Sequence, residues 1–336
     1  MNRKERVKQA LKFQETDIVP YYVDFTMPAY DKLAKYYNDQ NFIDKIGNHF
    51  AFPTTRNLAG WKNLGNEKYQ DEFGAIWNKT IDKDIGTVDN SMLPDPTLKN
   101  YIFPDPYKPG RFDGYEDFVQ KNKDKFIVHA IGFSLFERAW TLRGMENLLM
   151  DMILNPSFVE ELLDKIVEYN LGIIEQATKF DIDACYFGDD WGQQHGLIMG
   201  PNLWRKFIKP RLKKMYDRVH KSNLFVLQHS CGDIKELIPE LIDIGLNVLN
   251  PFQPEVMDVY DIKKNYGKHL AFWGGLSTQR ILPYSSPEHV KNEIKRLLKE
   301  IGKNGGYIFA PAHSVPKDVP LENLIVLVET IQNQKK

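Results

Sequence analysis

Three side chains of this 336-residue chain have the chemistry of a catalytic metal site: His229, Cys231 and His313. The first two lie two residues apart where the apolar run Leu224-Phe225-Val226-Leu227 ends, and in a strand that spacing sends both to one face. Two imidazoles and a thiolate make a donor set suited to Zn2+. Three protein ligands would leave a fourth position open for water or a substrate thiol. A buried strand end with a hydrogen-bonded histidine and an inert cysteine is the competing reading, because two-ligand spacings recur by chance.

Other strand ends carry further candidates. Asp189-Asp190 follows Tyr186-Phe187-Gly188 and could orient a ligand histidine, complete a metal sphere or hold a polar substrate, or could simply cap a helix. Adjacent residues point opposite ways in a strand, so one of the two faces the site, and Asp189 has the better phase if Tyr186 and Gly188 serve packing. Asp24, Gln253 and Trp273 also close apolar runs and are candidates for holding substrate or cofactor. Gly274-Gly275 marks a close backbone approach, to a neighbouring turn or to a ligand. His195, His220, His269 and His289 fall in helical or connecting segments and are read as surface residues, and Cys185 as packing.

These residues need a scaffold that converges strand ends. From about residue 183 onward, short runs rich in Val, Ile, Phe and Tyr alternate with longer segments of helical period, the pattern of parallel strands with helical crossovers. The expected strands are 184–189, 224–229, 248–252, 270–274 and 307–310, with two upstream at 18–25 and 126–131; an eighth either lies near 73–77 or is irregular. Helix starts are legible at Ser286-Pro287-Glu288 and Asn155-Pro156. No Gly-x-Gly-x-x-Gly follows a strand, so a single (β/α)8 TIM barrel is favoured over an open nucleotide-binding sheet. Residues 43–124, rich in Asn, Asp, Gly, Pro and aromatics, read as a long insertion after the first strand, forming a lid or wall of the barrel mouth.

Composition narrows the partners. With 26% charged residues and a net charge of -1, there is no basis for binding nucleic acid. The absence of a long apolar run or signal-peptide core leads to the expectation of a cytoplasmic chain without a membrane partner. Only two cysteines are present, too few for a disulfide scaffold. The stretch Arg205 to Lys214 holds six basic residues in ten, read first as a solvated helix face and second as a dock for an acidic partner.

The same motifs carry a family resemblance. His229-Ser230-Cys231-Gly232-Asp233, Val248-Leu249-Asn250-Pro251-Phe252-Gln253-Pro254-Glu255, Phe272-Trp273-Gly274-Gly275, Ala310-Pro311-Ala312-His313 and Pro320-Leu321-Glu322-Asn323 resemble the uroporphyrinogen decarboxylase superfamily. Within it they resemble the zinc-dependent branch that includes the methylcobalamin:coenzyme M methyltransferases, most strongly from residue 181 onward. The resemblance implies a barrel with a central funnel, and zinc held by a His-x-Cys pair and a later cysteine, activating a thiol that accepts a methyl group from a corrinoid. The pair maps onto His229 and Cys231; the third position is His313 where the coenzyme M enzymes have cysteine. That change makes a metal-bound thiolate less nucleophilic, so an acceptor other than coenzyme M is expected.

The decarboxylases themselves resemble this chain less at the first strand. They carry Met-Arg-Gln-Ala-Gly-Arg there, cations that meet substrate carboxylates, whereas this chain has Pro20-Tyr21-Tyr22-Val23-Asp24-Phe25 and no arginine between Arg6 and Arg56. The resemblance therefore implies a zinc-dependent methyltransferase acting on a small methyl donor or acceptor. No Asp-x-His-x-x-Gly corrinoid motif is present, so a partner protein would carry the corrinoid. Decarboxylation of a tetrapyrrole or related polycarboxylate is the second reading, and non-catalytic carriage of a corrinoid or tetrapyrrole the third. The family relationship also implies a homodimer.

Overall fold

The computed structural model describes residues 1–53, 61–81, 83 and 86–334 of the chain. Its strands, in chain order, are β1 (Phe50–Ala51), β2 (Lys62–Gly65), β3 (Lys68–Gln70), β4 (Ile76–Asn78), β5 (Thr87–Val88), β6 (Phe126–Ile131), β7 (Ala184–Gly188), β8 (Phe225–His229), β9 (Val248–Phe252), β10 (Ala271–Leu276) and β11 (Tyr307–Pro311). Seven of them form one parallel sheet in the order β1-β6-β7-β8-β9-β10-β11. Helices such as Pro156–Ala177, Lys209–His220, Val259–Tyr266 and Pro287–Glu300 make the crossovers between successive strands. Local chemistry starts them: the Ser286 side chain accepts from His289 N with Pro287 in the first turn, and Asp258 accepts from Tyr260 N and Asp261 N.

Side-chain alternation divides each strand between two cores. Phe50, Phe126, Val128, Ala184, Leu227, Val248, Ala271 and Ile308 pack together on the inner face with Val7 and Leu11 of the helix Arg3–Leu11. Their neighbours Ile127, Cys185, Val226, Leu249, Phe272 and Phe309 join the larger cluster formed with the surrounding helices. Inward residues near the carboxyl ends of the strands are thereby free to line a site.

Three expectations about the sheet are corrected. The chain at 18–25 forms isolated bridges at Tyr21 and Phe25 and no continuous strand. Pro20 has no N–H to donate, and Asn48 occupies both backbone groups of Val23, with Oδ1 accepting from its N and Nδ2 donating to its O, each at 2.9 Å. This segment is nevertheless bonded to both sheet edges, through Tyr22 N to Phe309 O at 3.0 Å and His49 N to Tyr21 O at 3.0 Å. The eighth strand expected near 73–77 lies instead in a separate antiparallel sheet, β2-β3-β4-β5. Its Trp77 indole and the Arg138 guanidinium both bond Asp71 Oδ2, at 3.1 and 2.6 Å, which ties this sheet to the helix Phe136–Arg143 after β6. Finally, β1 belongs to the parallel sheet although it falls within 43–124, a stretch of which residues 54–60, 82, 84 and 85 lie outside the described residues.

The basic stretch is a surface of ion pairs. Pro210 cannot donate to the carbonyl four residues back, and the turn before it, Trp204–Ile208, is a π-helix leading into Lys209–His220. Each of its six basic side chains has an acidic partner: Arg205 and Lys209 meet Glu240, Arg211 and Lys214 meet Asp164, Lys206 meets Glu160, and Lys213 meets Asp217. Among the described residues, no helix is long and apolar enough to cross a membrane.

Two histidines buried in this framework set its acid limit. Burial, with the Arg6 guanidinium adding to it, depresses His49 to about 3, and burial alone depresses His129 to about 4. Both folded values lie below the unfolded value, so the stability they contribute is whole above about pH 6.5 and is lost as pH falls through that window toward the folded values. The free energy of unfolding is expected to hold from pH 8 to 7, then drop by up to about 1.4 kcal/mol per pH unit for each imidazole. Denaturant titrations at pH 7.5, 6 and 5 measure this. His129→Gln should make the profile shallower, and identical profiles for the two proteins would contradict the assignment.

Candidate metal site

The inward positions at the strand ends are Ala130 on β6, Tyr186 on β7, His229 on β8, Asn250 on β9, Trp273 on β10 and Ala310 on β11. Together with Tyr22, Asp24, Phe52 and the segment Pro311 to Ser314 they surround a cavity of about 390 Å3. His229 keeps the phase of Leu227, and Cys231 continues it past the end of the strand.

The structure brings the three expected ligands together. Their donor atoms lie within 4.8 Å of one another, and His229 Nε2 is 3.3 Å from Cys231 Sγ. The ring of His313, which is exposed, meets that of His229 edge-on at 6.1 Å between centroids. Asn250 sets the state of His229. Its Nδ2 donates to Trp273 O at 3.1 Å, so its Oδ1 faces His229 Nδ1 at 2.6 Å and also accepts from Tyr186 Oη at 3.0 Å. Nδ1 therefore carries the proton and Nε2 presents its lone pair to the cluster.

Carboxyl groups surround the thiol. Asp190 Oδ1 accepts from Cys231 N at 2.8 Å and lies 3.5 Å from His229 Nε2. Glu137, largely desolvated and close to the charges of Asp190 and Asp189, is held well above the usual carboxylate range. Burial, then Asp190 and Glu137, also push the Cys231 thiol up. Metal binding here would release that proton. Backbone contact fixes the two loops: a Cβ on Gly232, at φ +85°, would come within 2.2 Å of the Gly192 carbonyl carbon.

The remaining candidates separate. Asp189 faces away from the cavity, the reverse of its expected phase, because Tyr186 and not its neighbours points inward. It is fully buried and accepts from Leu135 N, Phe136 N and Glu137 N at 3.1, 3.0 and 2.8 Å, and from Trp191 Nε1 at 2.5 Å. Asp189 is therefore the cap of the helix Phe136–Arg143, and Asp190 is the one of the pair that lies beside the candidate ligands. Asp24 stands exposed at the cavity rim and accepts from Ser314 Oγ at 2.9 Å, and Trp273 forms wall. Gln253 supports the loop that carries Cys231, its Oε1 accepting from Gly232 N at 3.1 Å. Gly274 approaches the β9 backbone, where a Cβ would come within 2.6 Å of Phe252 N. Cys185 is buried, His195, His269 and His289 are exposed, and His220 is half-buried against Gly245 O.

Asn250, Tyr186 and Glu137 were not singled out by the sequence. The two-residue period that placed His229 inward would also have found Tyr186 and Asn250, whereas Glu137 reaches the site only through tertiary packing. Asn250→Ala should weaken metal binding about 10- to 100-fold, the usual cost of losing a partner that orients a ligand histidine. Competition against a chromogenic chelator measures it, and an unchanged affinity would remove Asn250 from the site's support.

A family model described as Uroporphyrinogen decarboxylase (URO-D) matches residues 110–334. The uroporphyrinogen decarboxylase of Actinobacillus pleuropneumoniae serotype 5b (strain L20) is 22% identical over 227 residues, covering 62% of this chain and 60% of that protein. That of Coxiella burnetii (strain Dugway 5J108-111) is 24% identical over 186 residues, covering 53% of this chain and 48% of its own. The match thus spans about half to three-fifths of these curated relatives. A methyltransferase from Methanosarcina mazei superposes over 100% of both chains with a TM-score of 0.73 and 18% identity, which shows a shared fold.

Proposed function

The chain belongs to the uroporphyrinogen decarboxylase family, and from that premise we propose that it is a zinc-dependent methyltransferase that moves a methyl group between a small substrate or thiol and a corrinoid carried on a partner protein. We place it in a reducing cytoplasm, and assign the segment 20–25 to the eighth position of a (β/α)8 barrel. The observation that carries the functional reading is the gathering of His229, Cys231 and His313 at the mouth, with donor atoms within 4.8 Å of one another.

That donor set fits zinc by ligand type and number. These three residues would hold Zn2+, which supplies Lewis-acid chemistry at an open fourth position. Asn250 keeps His229 in the tautomer a metal requires, and Asp190 fixes the backbone of Cys231. The aromatic wall limits the water that reaches a bound substrate. His313 in place of a thiolate leaves the metal more electrophilic, which favours polarising a donor heteroatom over activating a strongly nucleophilic thiol.

Decarboxylation is the second reading, favoured by the names of the curated relatives. Among the described residues that line the cavity there is neither lysine nor arginine, although a polycarboxylate needs fixed cations; Arg56 lies outside the described residues. Elemental analysis, with assays of methyl transfer to a corrinoid protein and of uroporphyrinogen consumption, separates the two. Stoichiometric zinc with methyl transfer is the expected result. Metal-free protein that consumes uroporphyrinogen would establish decarboxylation instead.

A further inference from the structure

The described side chains around the cavity leave one hydroxyl uncommitted. Two phenols stand in the wall, those of Tyr22 and Tyr186. Tyr186 Oη donates to Asn250 Oδ1 at 3.0 Å, and the Ser314 hydroxyl donates to Asp24 at 2.9 Å. Tyr22 Oη has no hydrogen-bond partner among the described residues, and it is not one of the polar atoms sealed from solvent. The Trp273 indole N–H is unpaired as well, but it is sealed and out of a substrate's reach. Packing fixes the Tyr22 ring all the same, with Phe50, Phe52 and Trp273 at 5.9, 5.2 and 5.7 Å between centroids. Burial, with the Asp24 charge adding to it, raises the phenol, so Tyr22 keeps its proton and can donate it in a hydrogen bond.

The order of the strands sets this hydroxyl apart from the candidate ligands. Segment 20–25 is bonded to β11 on one side and to the residue before β1 on the other, so it stands four positions from β8, which carries His229, in either direction. Tyr22 N bonds Phe309 O, four residues before His313, which also sets Tyr22 deeper than His313. A substrate that offers the metal a lone pair from its methyl-bearing heteroatom therefore has its other end among the aromatic rings. The metal supplies a cation at the first end, and a neutral phenol meets the second. A substrate that fills this space excludes water from Tyr22 Oη. An apolar group there would leave the donor unpaired, and that is how a polar site rejects analogues lacking the matching group.

We infer that Tyr22 determines specificity by donating its hydroxyl to an oxygen acceptor, of a hydroxyl, carbonyl or ether group, on the end of the substrate remote from the metal. The inference rests on the methyltransferase reading above and adds a second functional group to the substrate. One end carries a heteroatom with a free lone pair for the metal, and the other carries an oxygen for Tyr22. At about 390 Å3 the cavity lies near the lower end of the range of small-ligand sites, so both groups belong to one small molecule.

Calorimetric titration of the zinc-loaded full chain with thiols tests this, because a thiol anchors to zinc through its sulfur whatever its tail. The probes are 2-mercaptoethanol, 3-mercapto-1-propanol and 4-mercapto-1-butanol, paired with the alkanethiols of equal length, 1-propanethiol, 1-butanethiol and 1-pentanethiol. Tyr22→Phe keeps the packed ring and removes only Oη. In at least one pair, the affinity ratio of hydroxythiol to alkanethiol should fall about 3- to 10-fold from the parent to Tyr22→Phe, the worth of one neutral hydrogen bond. A ratio unchanged in all three pairs, or one that rises, overturns the inference even where zinc is held and a methyl group reaches a corrinoid protein. Failure of the functional reading gives a different result: the ratio falls as expected, but no methyl group reaches a corrinoid protein. Protein that takes up no zinc, or binds none of these thiols, overturns both.

Discussion

Asp189→Ala is expected to be the most damaging single substitution in the region of the site, and to act through folding. Its carboxylate is the shared acceptor of three backbone N–H groups and the Trp191 indole, all within a fully buried pocket at the start of the helix Phe136–Arg143. Truncation leaves four donors facing an apolar void. At about 1 kcal/mol or more for each unsatisfied donor, the loss is about 4 kcal/mol, enough to lower the melting temperature by roughly 6–10 °C in a chain of this size. Asp189→Asn keeps one acceptor oxygen and should fall between the two. A melting temperature for Asp189→Ala within about 2 °C of the parent would show the cap to be dispensable.

Cys231→Ser should have the opposite profile. Cys231 belongs to neither packed core and is half-buried at the mouth, so the change costs the fold little. It removes the anionic ligand from the donor set. Loss of an orienting partner alone costs about 10- to 100-fold in metal affinity, so loss of the thiolate should exceed that and leave protein that does not retain zinc through gel filtration. Melting curves of Cys231→Ser and parent, both metal-stripped, should coincide. A serine variant that retains stoichiometric zinc would remove Cys231 from the ligand set, and with it the main support for metal-dependent methyl transfer.

These paired predictions follow the line between what the residues revealed and what they concealed. The candidate ligands were legible because His229 and Cys231 share one strand face and His313 ends another apolar run. The parallel strands β6 to β11 were legible because each is an aliphatic or aromatic run bounded by turn residues. Two-residue β1 was not, since Phe50–Ala51 is too short to show a period and gains its place through Phe126 and Ile127 beside it. Ile76–Asn78 has the composition of a barrel strand, but a hairpin with Lys68–Gln70 claims it locally. The choice between Asp189 and Asp190 turned on the direction of Tyr186, which composition leaves open. Lining a cavity is a reason for a large aromatic to point inward that packing rules alone do not supply.

Alternation along the strands has a practical consequence for anyone redesigning this protein. On β7, Cys185 and Phe187 sit in the helix-facing core while Tyr186 between them lines the cavity, and on β9 Leu249 and Asn250 divide in the same way. Adjacent codons therefore answer to different selections, one for abundance and the next for turnover. A library that randomises Ala130, Tyr186 and Trp273 while leaving the residues on either side of each untouched would explore new substrates on an intact scaffold. Shifting that library by a single position would yield mostly insoluble protein.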